Sequence, residues 1–196
     1  RCDVAPTVCV GKNYVDKANV KSVQDVINNK NTEAVIPSYI SFEEYKKSGG
    51  YKILQQVKDG KITSKQIISS LKDSGLKGKG GAGFPTGMKW EIVSKYNGKK
   101  YVAVNGDEGE PGTFKDRTYL EKDPHRFLEG ALIASLYIKA SNVYIYMRDE
   151  YPSVIKILND EIIKLEKESI ISQGHIILRR GAGAYICGEE SAMIES

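Results

Sequence analysis

Three loops of this chain combine residue types and spacings that could bind a ligand. The first, residues 75–87, holds six of the chain's 19 glycines, a density that no core strand tolerates. Glycine lacks the Cβ atom that would keep a phosphate away from backbone amides. Pro85 is expected at the first position of a helix, whose free amides could receive an anion, and Lys77, Lys79 and Lys89 add positive charge. The loop is a candidate phosphate-binding loop.

The spacing of Gly78, Gly80 and Gly83 matches the dinucleotide fingerprint G-x-G-x-x-G. That fingerprint requires a preceding strand and an acidic residue about 20 positions further on. A helix is expected before this loop, and Lys99 and Lys100 occupy that distance. The pattern by itself therefore leaves two alternatives open, a phosphate-binding loop and a flexible or tightly packed surface loop.

The second loop, 105–113, carries Asp107, Glu108 and Glu110 directly after an expected strand. Carboxylates at this density repel one another, so a buried cluster requires cations, a metal or hydroxyl donors, whereas an exposed cluster requires nothing. Composition alone favours a solvated acidic turn, and oxygen ligands alone would suit only Mg²⁺ or Ca²⁺. At the carboxyl end of a strand, however, these acids and Asn105 can bind ribose or ribityl hydroxyls, which predicts a polyol-bearing cofactor.

The third loop, 179–190, is a second glycine turn between an expected strand and a helix. Glu189 and Glu190 fall in the first helical turn, where carboxylates complement the helix dipole without any ligand. Tyr185 could stack on a flat ring or simply pack against the protein. We expect Cys187 to be a buried, inert thiol, because neither histidine lies near it in sequence.

The elements that must position these loops alternate from residue 100 onward. Apolar runs at 101–104, 143–147 and 175–178 are separated by helices that begin at Pro124 and after Pro152. Strands separated by helices of this length pair in parallel and place ligands beyond their carboxyl ends. We therefore predict an α/β fold with a Rossmann-like parallel sheet and flanking helices. The second and third loops should lie at the same sheet edge and form a cleft there.

The first 75 residues show mainly turn and helix signals. These predict a hairpin at 7–16 with a three-residue turn, a helix at 22–29, a polar linker at 29–37 with a boundary near 32, and capped helices at 42–57 and 64–73, the second ended by Gly75.

Composition excludes several classes of protein. With 40% hydrophobic and 28% charged residues, the chain is neither a disordered tail, a fibre nor a coiled coil. A net charge of +4 is spread too thinly for nucleic acid, although small anions remain candidate ligands. The longest apolar region, 127–138, is interrupted by polar residues, so no direct membrane insertion is expected. Three cysteines without CxxC spacing fit a reducing compartment, the cytoplasm or the matrix of a eukaryotic organelle.

Taken together, the segments 74–90, 104–117 and 181–190 resemble the flavoprotein subunit of NADH dehydrogenases. That family includes the NADH-oxidising subunit of respiratory complex I and its relatives in NAD-dependent hydrogenases and formate dehydrogenases. The resemblance covers about residues 50–196. It implies an enzyme in which hydride passes from NADH to FMN and single electrons then pass to iron–sulfur clusters, with the cofactor supplying the chemistry. No catalytic acid or base is required.

The resemblance also implies roles for individual positions. Around FMN it places Gly78, Gly80, Gly81 and Lys89, with Asn105 and Asp107 on the ribityl chain and ring edge and Gly188 and Glu189 closing the other side. Around NADH it places Phe84 on the adenine, Glu108 and Glu110, and Tyr185 with Glu190 near the nicotinamide. The chain departs from its relatives in two ways: Lys79 replaces a common arginine, a point charge in place of a planar fork, and Ile92 replaces an aromatic residue.

The first residues, 1–8, resemble the end of the thioredoxin-like [2Fe–2S] domain of the partner subunit. That resemblance implies that Cys2 is one of four cluster ligands and that the two subunits are fused; the alternative is an exposed terminal cysteine. It divides the chain into the end of a [2Fe–2S] domain (1–32), a helical connector (33–73) and an FMN- and NADH-binding domain (74–196).

The final residues indicate the start of a helix without an end signal, so we expect a fragment that is inactive by itself. The [4Fe–4S] ligands of the family are expected beyond residue 196. The implied partners are iron–sulfur redox subunits of hydrogenase, formate dehydrogenase or complex I type. The alternative function is a non-catalytic scaffold that uses the glycine loop to bind an anion or a partner protein.

Overall fold

The computed structural model describes residues 1–79 and 81–196. In chain order, the strands and α-helices are β1 (Val8–Val10), β2 (Asn13–Val15), α1 (Val20–Asn28), α2 (Phe42–Lys47), α3 (Lys52–Lys58), α4 (Ser64–Asp73), α5 (Thr86–Ser94), β3 (Tyr101–Gly106), α6 (Lys115–Leu120), α7 (Pro124–Ile138), β4 (Asn142–Met147), α8 (Pro152–Lys167), β5 (Ile176–Arg180) and α9 (Glu190–Glu195).

A three-stranded parallel sheet in the order β3-β4-β5 organises residues 101–180. Tyr101 lies opposite Asn142 at one end of the β3–β4 pair, and Gly106 lies opposite Met147 at the other. The crossovers between these strands contain α7 and α8. The predicted parallel α/β fold is therefore confirmed. Because the strands are parallel, the loops that follow them all lie at one edge of the sheet.

The core is built around the central strand β4 and the two long crossover helices. Val143, Ile145 and Met147 are fully buried on β4, as expected for a central parallel strand covered by helices. They belong to one apolar cluster with Leu128 on α7 and Leu158 on α8. This packing fixes the sheet edge from which the loops after β3, β4 and β5 project.

The single helix predicted over 42–57 is wrong, because the structure has two helices, α2 and α3, separated by a sharp turn. Gly49 has φ +102°, and Tyr51, the residue before α3, has φ 62°, conformations that end one helix and redirect the chain. A Cβ atom on Gly50 would lie 2.0 Å from the Tyr45 ring. The break turns the Tyr45 and Tyr51 side chains into the protein, where both are buried.

Three smaller expectations also differ from the structure. The hairpin of β1 and β2 is confirmed, but its turn contains two residues, because Asn13 already belongs to β2. Pro85 is the N-cap of α5 and not its first residue. Helix α6 was not expected; its amides are capped by Glu108 of the preceding loop and not by its own N-cap residue, Phe114. No described helix is long and apolar enough to cross a membrane.

A buried polar network joins α3 to α7. The Glu129 carboxylate accepts hydrogen bonds from the Tyr45 hydroxyl at 2.7 Å, the Tyr51 amide at 3.0 Å and the Leu54 amide at 3.1 Å. Its neighbour His125 lies 2.8 Å from the Tyr51 hydroxyl, and burial lowers the pKa of His125. Glu129 thus supplies the N-terminal cap that α3 lacks in its own sequence.

Replacing Glu129 with alanine should lower the free energy of unfolding by about 2–4 kcal/mol, because three buried donors lose their acceptor. The matched control is Arg126→Ala on the same helix, whose side chain is 79% exposed and whose loss should cost less than about 0.5 kcal/mol. Urea unfolding of both variants measures the difference. Equal losses in the two variants would contradict this role of Glu129.

Candidate functional site

The second and third loops meet at the carboxyl edge of the sheet, as predicted. Asn105, at the end of β3, donates from Nδ2 to the Gly188 carbonyl at 2.7 Å and accepts the Asp107 amide on Oδ1 at 3.0 Å. One amide side chain therefore ties the acidic loop to the second glycine turn. Both of its polar atoms are engaged in joining the two loops.

The two loops approach so closely that a side chain larger than glycine would be crowded at the contact. A Cβ atom on Gly188 would lie 3.0 Å from the Asp107 carbonyl, and one on Gly109 would lie 3.2 Å from the Tyr185 ring. The Tyr185 hydroxyl also donates to the Glu110 carboxylate at 3.3 Å. Tyr185 itself remains exposed, so its ring is available for stacking.

Asp107 carries a buried atom without a partner. Its Oδ2 has no hydrogen-bond donor among the described residues. Burial raises the pKa of Asp107, and the nearby Arg148 only partly opposes that shift. A desolvated carboxylate oxygen beside two joined loops is an acceptor to which a ligand hydroxyl or N–H can donate.

Glu108 is not part of a solvated acidic turn, because it is only 5% exposed. Its carboxylate accepts the Asp116 amide at 2.9 Å, the Arg117 amide at 3.4 Å and the Tyr151 hydroxyl at 3.0 Å. Lys115 Nζ lies 3.4 Å away. These contacts cap α6, so the Glu108 carboxylate is already engaged within the chain.

Arg148 and Tyr151 hold the acidic loop in place and were missed in the sequence. The Arg148 guanidinium donates to the Glu108 carbonyl and lies 5.0 Å from the centre of the Tyr151 ring. Burial raises the pKa of Tyr151 to about 12, so its hydroxyl remains a donor at neutral pH. Both residues follow β4, and the rule that pointed to the ends of β3 and β5 also applies there.

Glu189 and Glu190 occupy the beginning of α9. Glu189 is its N-cap, and its carboxylate accepts the Ser191 amide at 3.0 Å and the Ala192 amide at 3.1 Å. The Ser191 hydroxyl also donates to this carboxylate, and its bond together with the two amide bonds lowers the pKa of Glu189. Glu189 thus caps the start of α9. Glu190 is exposed.

Backbone hydrogen bonds join the two ends of the first glycine loop. The Gly78 amide donates to the Phe84 carbonyl at 3.2 Å, and the Thr86 amide donates to the Leu76 carbonyl at 2.9 Å. A Cβ atom on Gly78 or Gly81 would meet nothing within 4 Å. Packing within the described chain therefore gives no reason for glycine at these two positions. Gly80, also a candidate, lies outside the described residues.

The cationic and aromatic candidates of this loop face solvent. Lys79 and Lys89 are exposed, and Phe84 is 44% exposed. Within residues 1–79 and 81–196, no hydrogen bond joins the segment 75–89 to the acidic loop or to the second glycine turn. The structure thus brings together the residues at the sheet edge, and no hydrogen bond within the described residues fixes the glycine loop to them.

The cysteines do not assemble a metal centre within the described chain. Cys2 and Cys9 are exposed and Cys187 is buried, as expected for that residue. Among the described residues, no group of three or more His, Cys, Asp or Glu side chains could hold a metal ion.

The fold is a parallel α/β domain whose strand-end loops meet at one sheet edge. The chain belongs to the family of the Nuo51 FMN-binding domain, whose model matches residues 71–196. It is 45% identical over 168 residues to the F subunit of NADH-quinone oxidoreductase from Aquifex aeolicus (strain VF5). It is 43% identical over 170 residues to the F 2 subunit of NADH-quinone oxidoreductase from Rhizobium meliloti (strain 1021). Each alignment covers 82% of this chain but only 39% and 40% of the relative.

Solved structures extend the similarity to the start of the chain. The crystal structures of NAD⁺-reducing [NiFe]-hydrogenase in the air-oxidised and H₂-reduced states give TM-scores of 0.76 and 0.78 at 26% identity. They cover 98% and 97% of this chain and 36% of the solved chain. The resemblance to the flavoprotein component of NADH dehydrogenases is therefore confirmed, whereas the thioredoxin-like origin of residues 1–32 stays a prediction.

Replacing Asp107 with asparagine should stabilise the ligand-free protein at pH 7 and weaken its ligand binding. A carboxyl group whose folded pKa is raised contributes stability below its unfolded pKa and loses it as pH rises through the folded pKa. The stability difference between Asp107→Asn and the parent should therefore be present at pH 7 and vanish at a pH below 3.8, the ordinary pKa. Urea unfolding at both pH values measures it, and a variant less stable than the parent at pH 7 would contradict this account.

Proposed function

We propose that this chain is the flavin-binding part of an NADH:acceptor oxidoreductase. It binds FMN at the carboxyl edge of its parallel sheet and binds NADH beside it. The observation that carries the proposal is the unpartnered, buried Oδ2 of Asp107 at the junction of the two loops. Family membership over residues 71–196 supports FMN as the ligand.

The described residues fit a flavin mononucleotide in three respects. Gly78 and Gly81 leave space where a side chain would otherwise stand, which allows a phosphate or ring to approach the backbone. Lys79 and Lys89 supply exposed positive charge near that backbone. Asp107 offers an acceptor for a ribityl hydroxyl or a ring N–H.

Each part of the chain then has a distinct task toward FMN. The backbone of Gly78, Gly80 and Gly81 and the side chain of Lys89 surround it, while Asp107 binds its polar edge. Asn105 positions Asp107, because its amide already binds the Asp107 amide and the Gly188 carbonyl. Gly188 permits this close approach, and Glu189 keeps α9 capped beside it.

For NADH, the exposed aromatic residues provide stacking surfaces. Phe84 is assigned to the adenine, and Tyr185, oriented by its hydrogen bond to Glu110, is assigned with Glu190 to the nicotinamide side. Glu108 contributes by holding the loop, since its carboxylate is already occupied by α6. Lys79 in place of arginine presents one charge without a planar fork.

An FMN held by these residues would supply the redox chemistry, which is hydride acceptance from NADH and release of single electrons. The chain's residues bind, orient and exclude water, and none acts as an acid or base. Precise placement of two bound reactants supplies much of the rate acceleration. For that reason the side chains that join the loops matter as much as those that touch the ligands.

The same proposal includes the wider assembly. The acceptors are iron–sulfur redox subunits of complex I, hydrogenase or formate dehydrogenase type, in the cytoplasm or an organelle matrix. Residues 1–32 form the end of a [2Fe–2S] domain with Cys2 as one ligand, residues 33–73 form a connector, and residues 74–196 form the flavin domain. The hydrogenase match, which covers 98% of this chain within one solved chain, supports such a fusion.

The experiment that tests the function is an FMN titration of the full-length protein, followed by anaerobic addition of NADH. Flavin fluorescence should report saturable binding, and the flavin absorbance should bleach when NADH is added. A folded protein that binds no FMN would instead favour the non-catalytic scaffold. A protein that binds FMN without bleaching would retain the flavin site and overturn the assignment of NADH as donor.

Replacing Gly78 with alanine should weaken FMN binding at least about tenfold without destabilising the ligand-free protein. The added methyl group meets nothing within 4 Å in the chain itself, so only a ligand could be displaced by it. Gly130→Ala is the matched control, because that position is equally open but lies on α7. Equal FMN affinity in the Gly78 variant and the parent would show that the first glycine loop does not contact the flavin.

A further inference from the structure

Helix α6 contacts two separate parts of the chain, the acidic loop and the N-terminal segment. Its first amides, those of Asp116 and Arg117, donate to the buried carboxylate of Glu108 in the acidic loop. Its Arg117 side chain, only 5% exposed, donates from Nη2 to both carboxylate oxygens of Asp3 at 2.6 Å. Asp3 is the residue next to Cys2. One short helix therefore stands between the N-terminal segment and the loop that carries Asp107.

The Asp3 contact is the main polar attachment of the N-terminal unit, which we define as residues 1–28. Within the described residues, the two bonds from Arg117 to Asp3 are the only hydrogen bonds between this unit and residues 100–196. The ion pair of Arg1 with Glu121 at 3.8 Å supplements them. Loss of Asp3 would therefore remove most of the polar contact between the unit and α6.

Helix α6 is too short to hold its position by itself. A helix of six residues is unstable in isolation, so its placement depends on the contacts at its ends. Without Asp3, the buried Arg117 guanidinium would lose its two short hydrogen bonds and keep only the Glu121 carboxylate, 3.9 Å from Nη1, which is unfavourable for a buried charge. Its Nε already has no partner. We expect α6 to move toward solvent to hydrate that charge and to withdraw its amides from Glu108.

We propose that Arg117 is a positioning residue that couples docking of the N-terminal unit to the ligand-binding arrangement of the acidic loop. Docking of Asp3 fixes α6, α6 fixes Glu108, and Glu108 fixes the loop that presents Asp107 and Glu110. In naming FMN as the ligand of that loop, the inference rests on the proposed function. Because such coupling is reciprocal, FMN binding should in turn protect the N-terminal unit.

The test uses Asp3→Asn in the full-length protein, with hydrogen–deuterium exchange and FMN titration as separate readouts. The amides of Asp116 and Arg117 should exchange at least about fivefold faster and the dissociation constant of FMN should rise by a similar factor. Exchange in α7 should remain at the parent rate. FMN should protect residues 1–16 in the parent and fail to do so in the variant.

Asp16→Asn is the matched control. It makes the same replacement within the same unit, but Asp16 binds Arg1 at 2.8 Å and not α6, so both readouts should stay at the parent values. Adding Arg117→Gln to Asp3→Asn should cause no further loss of FMN affinity, because both changes remove one contact. Asp3 is exposed, so its variant is expected to fold even if the Arg117 variant does not.

The outcomes separate this inference from the proposed function. Parent-like exchange at residues 107–117 in Asp3→Asn would overturn the coupling, whether or not FMN binds. Faster exchange with unchanged FMN affinity would overturn the link between α6 and the ligand site. Faster exchange in a protein whose parent binds no FMN would leave the coupling in place and refute the flavin function.

Discussion

The buried carboxylate of Glu108 is the interaction on which the arrangement of the site depends. A desolvated carboxylate is tolerated only when donors surround it, and here they come from two separate segments: the amides of α6 and the Tyr151 hydroxyl. Arg148 binds the carbonyl of the same residue. Satisfying one acid therefore fixes the acidic loop against α6 and against the residues that follow β4.

The parallel sheet adds a second constraint, which decides where ligands can bind. Parallel strands point their carboxyl ends to one edge, so the loops after β3 and β5 must approach each other. Asn105 joins them, and glycine at positions 109 and 188 allows the backbones to come within contact distance. The consequence is a narrow junction in which one buried carboxylate oxygen of Asp107 lacks a donor among the described residues, which is unusual for a buried polar atom.

Much of the fold could be predicted because the relevant signals are local. Capping residues marked the starts of α2 and α4, Pro124 marked the start of α7, and apolar runs marked the three parallel strands. The prediction of a single helix over 42–57 failed because residues distant in sequence determine where that helix breaks. The break between α2 and α3 depends on Tyr45 and Tyr51, whose hydroxyls contact Glu129 and His125 of α7. Helix α6 was not predicted because Glu108 of the preceding loop caps its amides, whereas its own N-cap residue, Phe114, does not.

The amino-acid sequence by itself determined the loops that could bind a ligand, the parallel order of the elements and the family, because glycine spacing and strand–helix alternation are written along the chain. Only the tertiary structure decided which acids remain available. Asp107, Glu108 and Glu110 are neighbours with the same chemistry, yet one has an unpartnered buried oxygen, one caps a helix and one accepts from Tyr185. The difference arises because the donors that reach Glu108 and Glu110 lie on other elements of the fold, namely α6, the segment after β4 and the second glycine turn. The positions of these donors are set only when the chain packs.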